Sequence, residues 1–209
     1  MVVTVNLDGS PHIVAAWQDV PMQHVSSMTY RHVGRILHEI GMVSEEKMQR
    51  VLDEVADWAD DEISHYEAAG ALESFGVAVS IHADDIDSIY EDYAFLLERA
   101  AEVAGGSVAV TNVRIVEGEG DFAFGRSDRL EFERNGVPIS IVAEHFADDY
   151  YDHTTAAAAI ALTAADDDPR SWRYIEFDRT PGRVYETILG LATLEQTAAL
   201  QERLSFRFR

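Results

Sequence analysis

The predominant period of the hydrophobic pattern changes near residue 105 of this chain, and that change limits the folds open to it. Before residue 105, apolar side chains recur every three or four positions over long stretches. After that point, most apolar side chains alternate with polar ones. A period near 3.6 residues is typical of helices and a period of 2 of strands. The pattern predicts a helix-rich part over 22–104 and a strand-rich part over 106–209, and so an α+β fold with N-terminal helices packed on a mostly antiparallel sheet.

Three helices are predicted in the helix-rich part. The first covers Met22–Ile40, and the second covers 44–69 and is expected to end at Gly70. The third begins at Asp84 and ends before the Gly105-Gly106 pair, since glycine commonly follows the last turn of a helix. A strand over Phe75–Ile81 is predicted between the second and third helices.

The clearest local signal in the strand-rich part is the pair Asn135-Gly136. It separates two β-rich segments, Leu130–Arg134 and Val137–Phe146. Asn-Gly favours the type I′ turn, whose central residues both need positive φ, so these segments are predicted to form an antiparallel hairpin. The other predicted elements are an N-terminal hairpin within 3–20, a strand over 108–116, a helix over 152–165, strands over 172–177 and 184–191, a short helix with the capping box Thr193 and Gln196, and a final strand at 204–208.

The composition is that of an ordinary folded domain. The chain has 209 residues, 47% of them hydrophobic, and no cysteine. A chain of this length buries a core without disulfides, and no linker divides it, so a single domain over 1–209 is predicted. Its longest apolar stretches are far too short to span a bilayer, and Met1–Asp8 lacks the features of a signal peptide. We therefore expect a cytoplasmic protein.

Negative charge dominates the sequence and is unevenly distributed. Asp and Glu number 38 against 16 Lys and Arg, for a net charge of -22. The charge is -14 over 44–104 but +2 over 170–209. A field of this sign repels nucleic acid and attracts basic proteins, so a basic protein is the expected partner. Adaptation to salt or a high-GC genome would also give an acidic chain, and the oligomeric state is left open.

The acidic residues of the second and third predicted helices are the first candidates for partner contact. On the second helix they recur on the side away from its apolar stripe, and on the third they follow its start, so the two helices could present one acidic surface. An ordinary solvated face is the alternative interpretation. The residues predicted to contact the partner are Asp53, Asp57, Asp60, Asp61, Asp84 and Asp85.

The sequence lacks the motifs of the common catalytic classes. It contains no P-loop, no dinucleotide-binding glycine motif, no Gly-x-Ser-x-Gly elbow and no His-Glu-x-x-His pair. Its densest polar cluster is Glu144–His153, where Glu144, His145, Asp149 and His153 could hold a divalent metal. Acids also gather at helix N-termini because the dipole favours them there. We predict no catalytic residue, metal or cofactor, with a metal-dependent hydrolase at this cluster and a non-catalytic regulatory domain as alternatives.

One segment resembles a known class of protein. Residues 130–153, LEFERNGVPISIVAEHFADDYYDH, are similar to the strand, turn, strand and acidic segment of small cytoplasmic immunity proteins from bacterial polymorphic or contact-dependent toxin systems. The resemblance implies a protein without catalysis that binds a toxin domain, often a basic nuclease, and blocks its active site. The resemblance does not identify the contact residues, but Asp148, Asp149 and Tyr151 in this segment are further candidates predicted to contact the partner.

Overall fold

The computed structural model describes residues 3–5, 11–13, 27–82, 90–120, 126–143, 145–147, 150–151, 153–177 and 186–209. The helices are α1 (Tyr30–Glu39), α2 (Glu45–Glu54), α3 (His65–Ser74), α4 (Tyr90–Val103), α5 (His153–Ala161) and α6 (Leu194–Leu204). The strands are β1 (Val3–Val5), β2 (Pro11–Ile13), β3 (Ala78–His82), β4 (Val110–Val116), β5 (Asp128–Arg134), β6 (Val137–Ala143), β7 (His145–Ala147), β8 (Tyr150–Tyr151), β9 (Ser171–Glu176), β10 (Glu186–Ala192) and β11 (Arg207–Phe208).

The described strands form two principal sheets. One has four strands in the order β11-β9-β10-β3, and the other has three in the order β4-β5-β6. Two short ribbons, β1-β2 and β7-β8, complete the pairings, and every pairing in the described residues is antiparallel. The predicted α+β fold is confirmed. Whether the chain forms one cooperative domain stays a prediction.

The four-stranded sheet is buried on both faces. Neighbouring residues of β10 enter different cores: Ile188 joins the core under α1, α2, α3 and α6, and Leu189 joins the core under α4, α5 and the three-stranded sheet. Both side chains are at most 2% exposed. Since successive strand residues point to opposite faces, one apolar strand serves two cores. The helices α1, α2 and α3 therefore pack on one face of this sheet, as predicted.

The Asn135-Gly136 turn has the predicted conformation. Its φ angles are 52° and 77°, and Arg134 pairs with Val137 directly across it. The Asn135 side chain also accepts a hydrogen bond of 2.8 Å from the Ala109 N–H, beside the start of β4. Asparagine thus stabilises both the turn and the adjoining strand.

The second predicted helix is wrong as a single element. The segment 44–69 contains α2, then turns over 55–60, then the start of α3, and Gly70 lies inside α3. Acidic residues crowd the end of α2, where the negative end of the helix dipole disfavours them. A capping box restarts the helix, in which Ser64 accepts from the Glu67 N–H and Glu67 accepts from the Ser64 N–H. That Ser-x-x-Glu signal is visible in the sequence and was missed.

Other observed boundaries of helices and strands differ from the predicted ones. The first helix begins at Tyr30, because Thr29 caps it by accepting from the His32 N–H, and residues 27–29 are not helical. The third helix is described only from Tyr90, so its predicted start at Asp84 lies outside the described residues. The strand expected from Phe75 begins at Ala78. At the C-terminal end, the capping box of Thr193 and Gln196 is confirmed at the start of α6. Among the described helices, none has the length and apolar character needed to cross a bilayer.

Candidate functional site

The connection between α2 and α3 concentrates negative charge on the surface. Six of the ten residues in 53–62 are acidic and none is basic. Hydrogen bonds between the Trp58 N–H and Val55 C=O and between the Asp61 N–H and Trp58 C=O shape the turns. Ala59 is fully buried, whereas Asp57, Trp58, Asp60 and Asp61 are exposed. The backbone therefore directs one small apolar side chain inward and the acids outward. We call residues 55–64 the acidic turn.

Hydrogen bonds attach the acidic turn to the N-terminal end of α1. The Arg31 N–H donates to the Ala59 C=O at 3.0 Å, and the Ile63 N–H donates to the Met28 C=O at 2.9 Å. The Arg31 guanidinium donates to both oxygens of Asp60, at 2.7 and 2.9 Å. These contacts hold the middle of the turn and its C-terminal end.

A cavity of about 520 Å³ opens beside the acidic turn. We call it the aromatic groove, and its lining residues are Tyr30, Trp58, Asp61, Glu62, Ile63, Tyr66, Glu67 and Gly70. Trp58 is 42% exposed and contacts Tyr30 at 4.6 Å between ring centroids, with the rings nearly perpendicular at 84°. Tyr66, on α3, packs against Phe177 at 5.4 Å. A volume of this size lies in the range of small-ligand sites, which runs to about 1,000 Å³.

Two carboxylates of the aromatic groove have no partner among the described residues. Asp61 and Glu62 are exposed, and neither side chain forms an ion pair or hydrogen bond with another part of the described chain. The Glu67 carboxylate is instead occupied, accepting from the N–H and hydroxyl of Ser64, each at 2.8 Å. The groove thus combines aromatic surface with two uncompensated negative charges, which together suit a cation.

The four predicted acids of this region differ in their surroundings. Asp53 lies in the last turn of α2 and accepts from the Gln49 amide at 2.7 Å. Asp60 is neutralised by Arg31, whose hydrogen bond lowers the pKa of that carboxyl below its ordinary value. Asp57 and Asp61 are exposed without a partner in the described chain. The structure therefore brings Asp60 and Asp61 onto one turn beside the groove, although not along the helical face that the sequence pattern predicted.

A nearby histidine does not offset this charge at neutral pH. His32 lies beside Asp60 in the small pocket at the start of α1. Burial lowers the pKa of His32, and the positive charges of Arg35 and Arg203 lower it further. Its imidazole is therefore neutral near pH 7, so Arg31 provides the compensating charge for Asp60.

The remaining predicted site residues are not tested by the structure. Asp84, Asp85, Asp148 and Asp149 lie outside the described residues. Tyr151 belongs to β8 and its backbone pairs with His145 of β7, with no side-chain position described. In the part of the chain that is described, no group of three or more His, Asp or Glu side chains could hold a metal ion. The Glu144–His153 cluster falls largely outside that part, and the hydrolase alternative stays untested.

The aromatic members of the site were not among the residues predicted from the sequence. Neither Trp58 nor Tyr66 was singled out, and both were placed within one continuous helix over 44–69. A signal was present, because Trp58 stands among six acids in a segment expected to be solvated. Large aromatic side chains on polar surfaces are typical of binding sites.

Comparisons of the chain with protein-family models, with curated proteins and with solved structures found no match.

Proposed function

We propose that this protein is an acidic binding protein, without catalytic activity, that neutralises a cognate bacterial toxin domain by covering its active site. One observation carries the proposal: an exposed tryptophan stands on a surface whose negative charge is largely uncompensated. Trp58 is 42% exposed, and Arg31 is the single basic side chain bound to the acidic turn among the described residues.

The distribution of charge favours a basic protein as the partner. Uncompensated acids on one surface accelerate the encounter with a positively charged molecule, and the acceleration falls as salt screens the field. The screening length is about 8 Å at physiological ionic strength. Asp57, Asp61 and Glu62 lie within six residues of one another on one connection, so their fields add.

The exposed aromatic surface favours a specific complex over loose attraction. Tryptophan and tyrosine are enriched among the residues that contribute most of the binding energy at protein interfaces. Trp58 with Tyr30 and Tyr66 supplies such a cluster in the aromatic groove. Acidic residues would then direct the partner and aromatic residues would retain it.

The choice of a toxin domain within the class of basic partners rests on the resemblance of residues 130–153 to immunity proteins. A toxin that is a nuclease carries positive charge for its substrate, and an acidic inhibitor competes with nucleic acid for that surface. An immunity protein of this kind acts in the cytoplasm and is encoded beside its toxin. A neighbouring reading frame for a large secreted protein with a variable C-terminal domain is expected.

Association kinetics test the role of the acidic turn. The toxin domain encoded beside this chain is the analyte, and the variant is Asp57→Lys with Asp61→Lys. The matched control is Glu195→Lys with Glu202→Lys, which makes the same change of net charge at exposed positions of α6. We expect the turn variant to associate several-fold more slowly than the control at low salt, and the difference to vanish at high salt. Equal rates for the two variants would contradict the proposed surface.

A cellular experiment tests the function itself. Expression of this chain should rescue cells that produce the neighbouring toxin domain. Absence of any toxin-like neighbour, or failure of rescue when both proteins are present and folded, would overturn the proposal.

A further inference from the structure

We infer that the aromatic groove is a pocket for one arginine side chain of the protein partner. The inference rests on the proposed function for the identity of the partner, and on the groove alone for the chemistry of the ligand. The groove is about 520 Å³ in volume, and the residues that line it include the aromatic Tyr30, Trp58 and Tyr66 and the acidic Asp61 and Glu62.

An apolar occupant fits this groove poorly. Filling it with a hydrocarbon side chain would exclude water from Asp61 and Glu62 without replacing their hydrogen bonds, and burying an unpaired carboxylate is costly. A cationic group removes that cost, because it pairs with the carboxylates while its stem covers the rings. The two carboxylates have no competing partner among the described residues, so they are available to the ligand.

Arginine fits better than lysine. Its guanidinium is planar, stacks on aromatic rings and donates five N–H groups in a fork that matches carboxylates. The ammonium of lysine is a point charge that retains its water more strongly. Partly exposed Trp58 provides the ring, and Asp61 and Glu62 provide adjacent acceptors.

The site is built before the ligand arrives. The acidic turn is held to α1 by the backbone hydrogen bond from Arg31 to Ala59, and to the segment just before α1 by the bond from Ile63 to Met28. Tyr30 packs against both Trp58 and Phe75, and the Phe75 side chain is fully buried. A pocket fixed in this way loses little conformational entropy when it binds a side chain.

The direct test uses N-acetyl-arginine methylamide, with the isosteric, uncharged N-acetyl-citrulline methylamide as the matched probe. Binding is followed by NMR of the tryptophan indole N–H groups, with the Trp58 signal assigned from Trp58→Phe. We expect the arginine probe to shift the Trp58 signal saturably and the citrulline probe to leave it unchanged. Equal binding of the two probes, or stronger binding of the lysine analogue, would overturn the assignment to arginine.

Variants locate the binding within the groove. Trp58→Ala and the pair Asp61→Asn with Glu62→Gln should each weaken binding of the arginine probe by roughly tenfold, the scale of a cation-π contact in a partly desolvated site. Because Trp58→Ala removes the indole signal, affinity in every variant is measured from the NMR signals of the probe itself. Phe95→Ala is the matched control, since Phe95 is 61% exposed on α4 and already has Arg99 over its ring at 5.4 Å. The control should bind the probe as the unaltered protein does. A loss of binding in Phe95→Ala equal to that in Trp58→Ala would show that the probe does not bind specifically in the aromatic groove, and would overturn the inference.

Two further measurements separate this inference from the proposed function. If the neighbouring toxin binds with unchanged affinity to Trp58→Ala, the arginine pocket is wrong and the proposed function stands. If the arginine probe binds at Trp58 but no toxin partner exists, the pocket stands and the proposed function is wrong.

Discussion

The acidic turn and the three-stranded sheet β4-β5-β6 are both rich in charged side chains, but they use them differently. In the sheet and the loops beside it, arginines lie close to acidic residues, and ion pairs join Arg114 to Glu131, Arg126 to Asp128 and Arg134 to Asp166. In the acidic turn, Arg31 binds Asp60, and no other described cation binds its acids. Charge in the sheet is therefore used within the fold, whereas charge in the turn is directed at solvent.

Two arginines of the three-stranded sheet and its loops each bind several groups of the folded chain. Arg134 donates to the Leu162 and Ala164 carbonyls at 2.9 Å each, beyond the end of α5, and also binds Asp166. Arg126 donates to Asp128, a carboxylate with no exposed surface that also accepts from the Gly118 N–H. Each such group has several partners in place. Asp61 and Glu62 have none in the described chain, which is why the turn is the better candidate for binding.

The largest expected difference between the regions is the effect of removing one carboxylate on stability. Asp128→Ala would leave Arg126 without its close partner in a mostly buried setting, at a cost of about 3 kcal/mol in the free energy of unfolding. Asp61→Ala should stay within about 0.5 kcal/mol of the unaltered protein, as exposed substitutions do. Urea unfolding of both variants measures the contrast. Similar losses for the two would contradict the division of roles.

A second contrast concerns the hairpin turn of the sheet. Gly136 has φ of 77° and open space around the position of a Cβ atom, so a side chain there is opposed by the backbone alone. Gly136→Val should destabilise the protein by about 1–2 kcal/mol, the cost of the left-handed conformation, and more if the turn opens. Gly136→Asn is the control and should be tolerated much better, because asparagine accepts this conformation. Thermal melting of the two variants measures the difference, and equal melting temperatures would refute the turn assignment.

A smaller effect of opposite sign is expected at Gly70, which lies inside α3 and lines the aromatic groove. Nothing lies within 4 Å of a Cβ atom built there, and its φ is not positive. Gly70→Ala should stabilise the protein by roughly 0.5–1 kcal/mol, since alanine loses less backbone entropy than glycine in a helix. Gly136→Ala is the matched control, with equally open space but positive φ, and should destabilise. Chemical denaturation compares the two, and a loss of stability in Gly70→Ala would argue against a continuous α3.

The smallest expected effect is confined to acidic pH. The hydrogen bond from Arg170 lowers the pKa of Asp168 from an ordinary value of 3.8. Because the pKa of Asp168 is lower in the folded state, its ionised carboxylate stabilises the folded protein. This contribution is fully present above pH 3.8 and is lost as the pH falls through the pKa of Asp168 in the folded protein. Asp168→Asn removes this carboxylate and with it the carboxylate's contribution to the pH dependence of the free energy of unfolding. The variant should therefore lose less stability than the unaltered protein as the pH falls below about 4. Thermal melting between neutral and acidic pH measures the effect, and Asp61→Asn is the control because it alters no described ion pair. The same pH profile of melting temperature for Asp168→Asn and Asp61→Asn would contradict the role of Arg170.

The elements predicted well are those whose signals lie within a few residues. The hairpin at Asn135-Gly136 and the capping box at Thr193 and Gln196 depend on local backbone conformation and on groups at most three residues apart. The helix over 44–69 was wrong because its apolar period continued through a segment in which the backbone turns. The site was only partly predicted for the same reason: acids were identified by composition, but Trp58 and Tyr30 are 28 residues apart and meet only when the turn docks on α1.

The amino-acid sequence by itself determined the α+β class, the antiparallel hairpin and the concentration of acid between 53 and 62, because period, turn chemistry and charge are local properties. Only the tertiary structure decided where α2 stops, which acid Arg31 neutralises and which carboxylates meet an exposed tryptophan. Those outcomes depend on hydrogen bonds from the acidic turn to α1 and to the residues just before it, such as the one from the Ile63 N–H to the Met28 C=O. Contacts between groups 35 residues apart compete with the hydrogen bonds that a longer helix would make. Where α2 ends therefore cannot be predicted from the residues near its end alone.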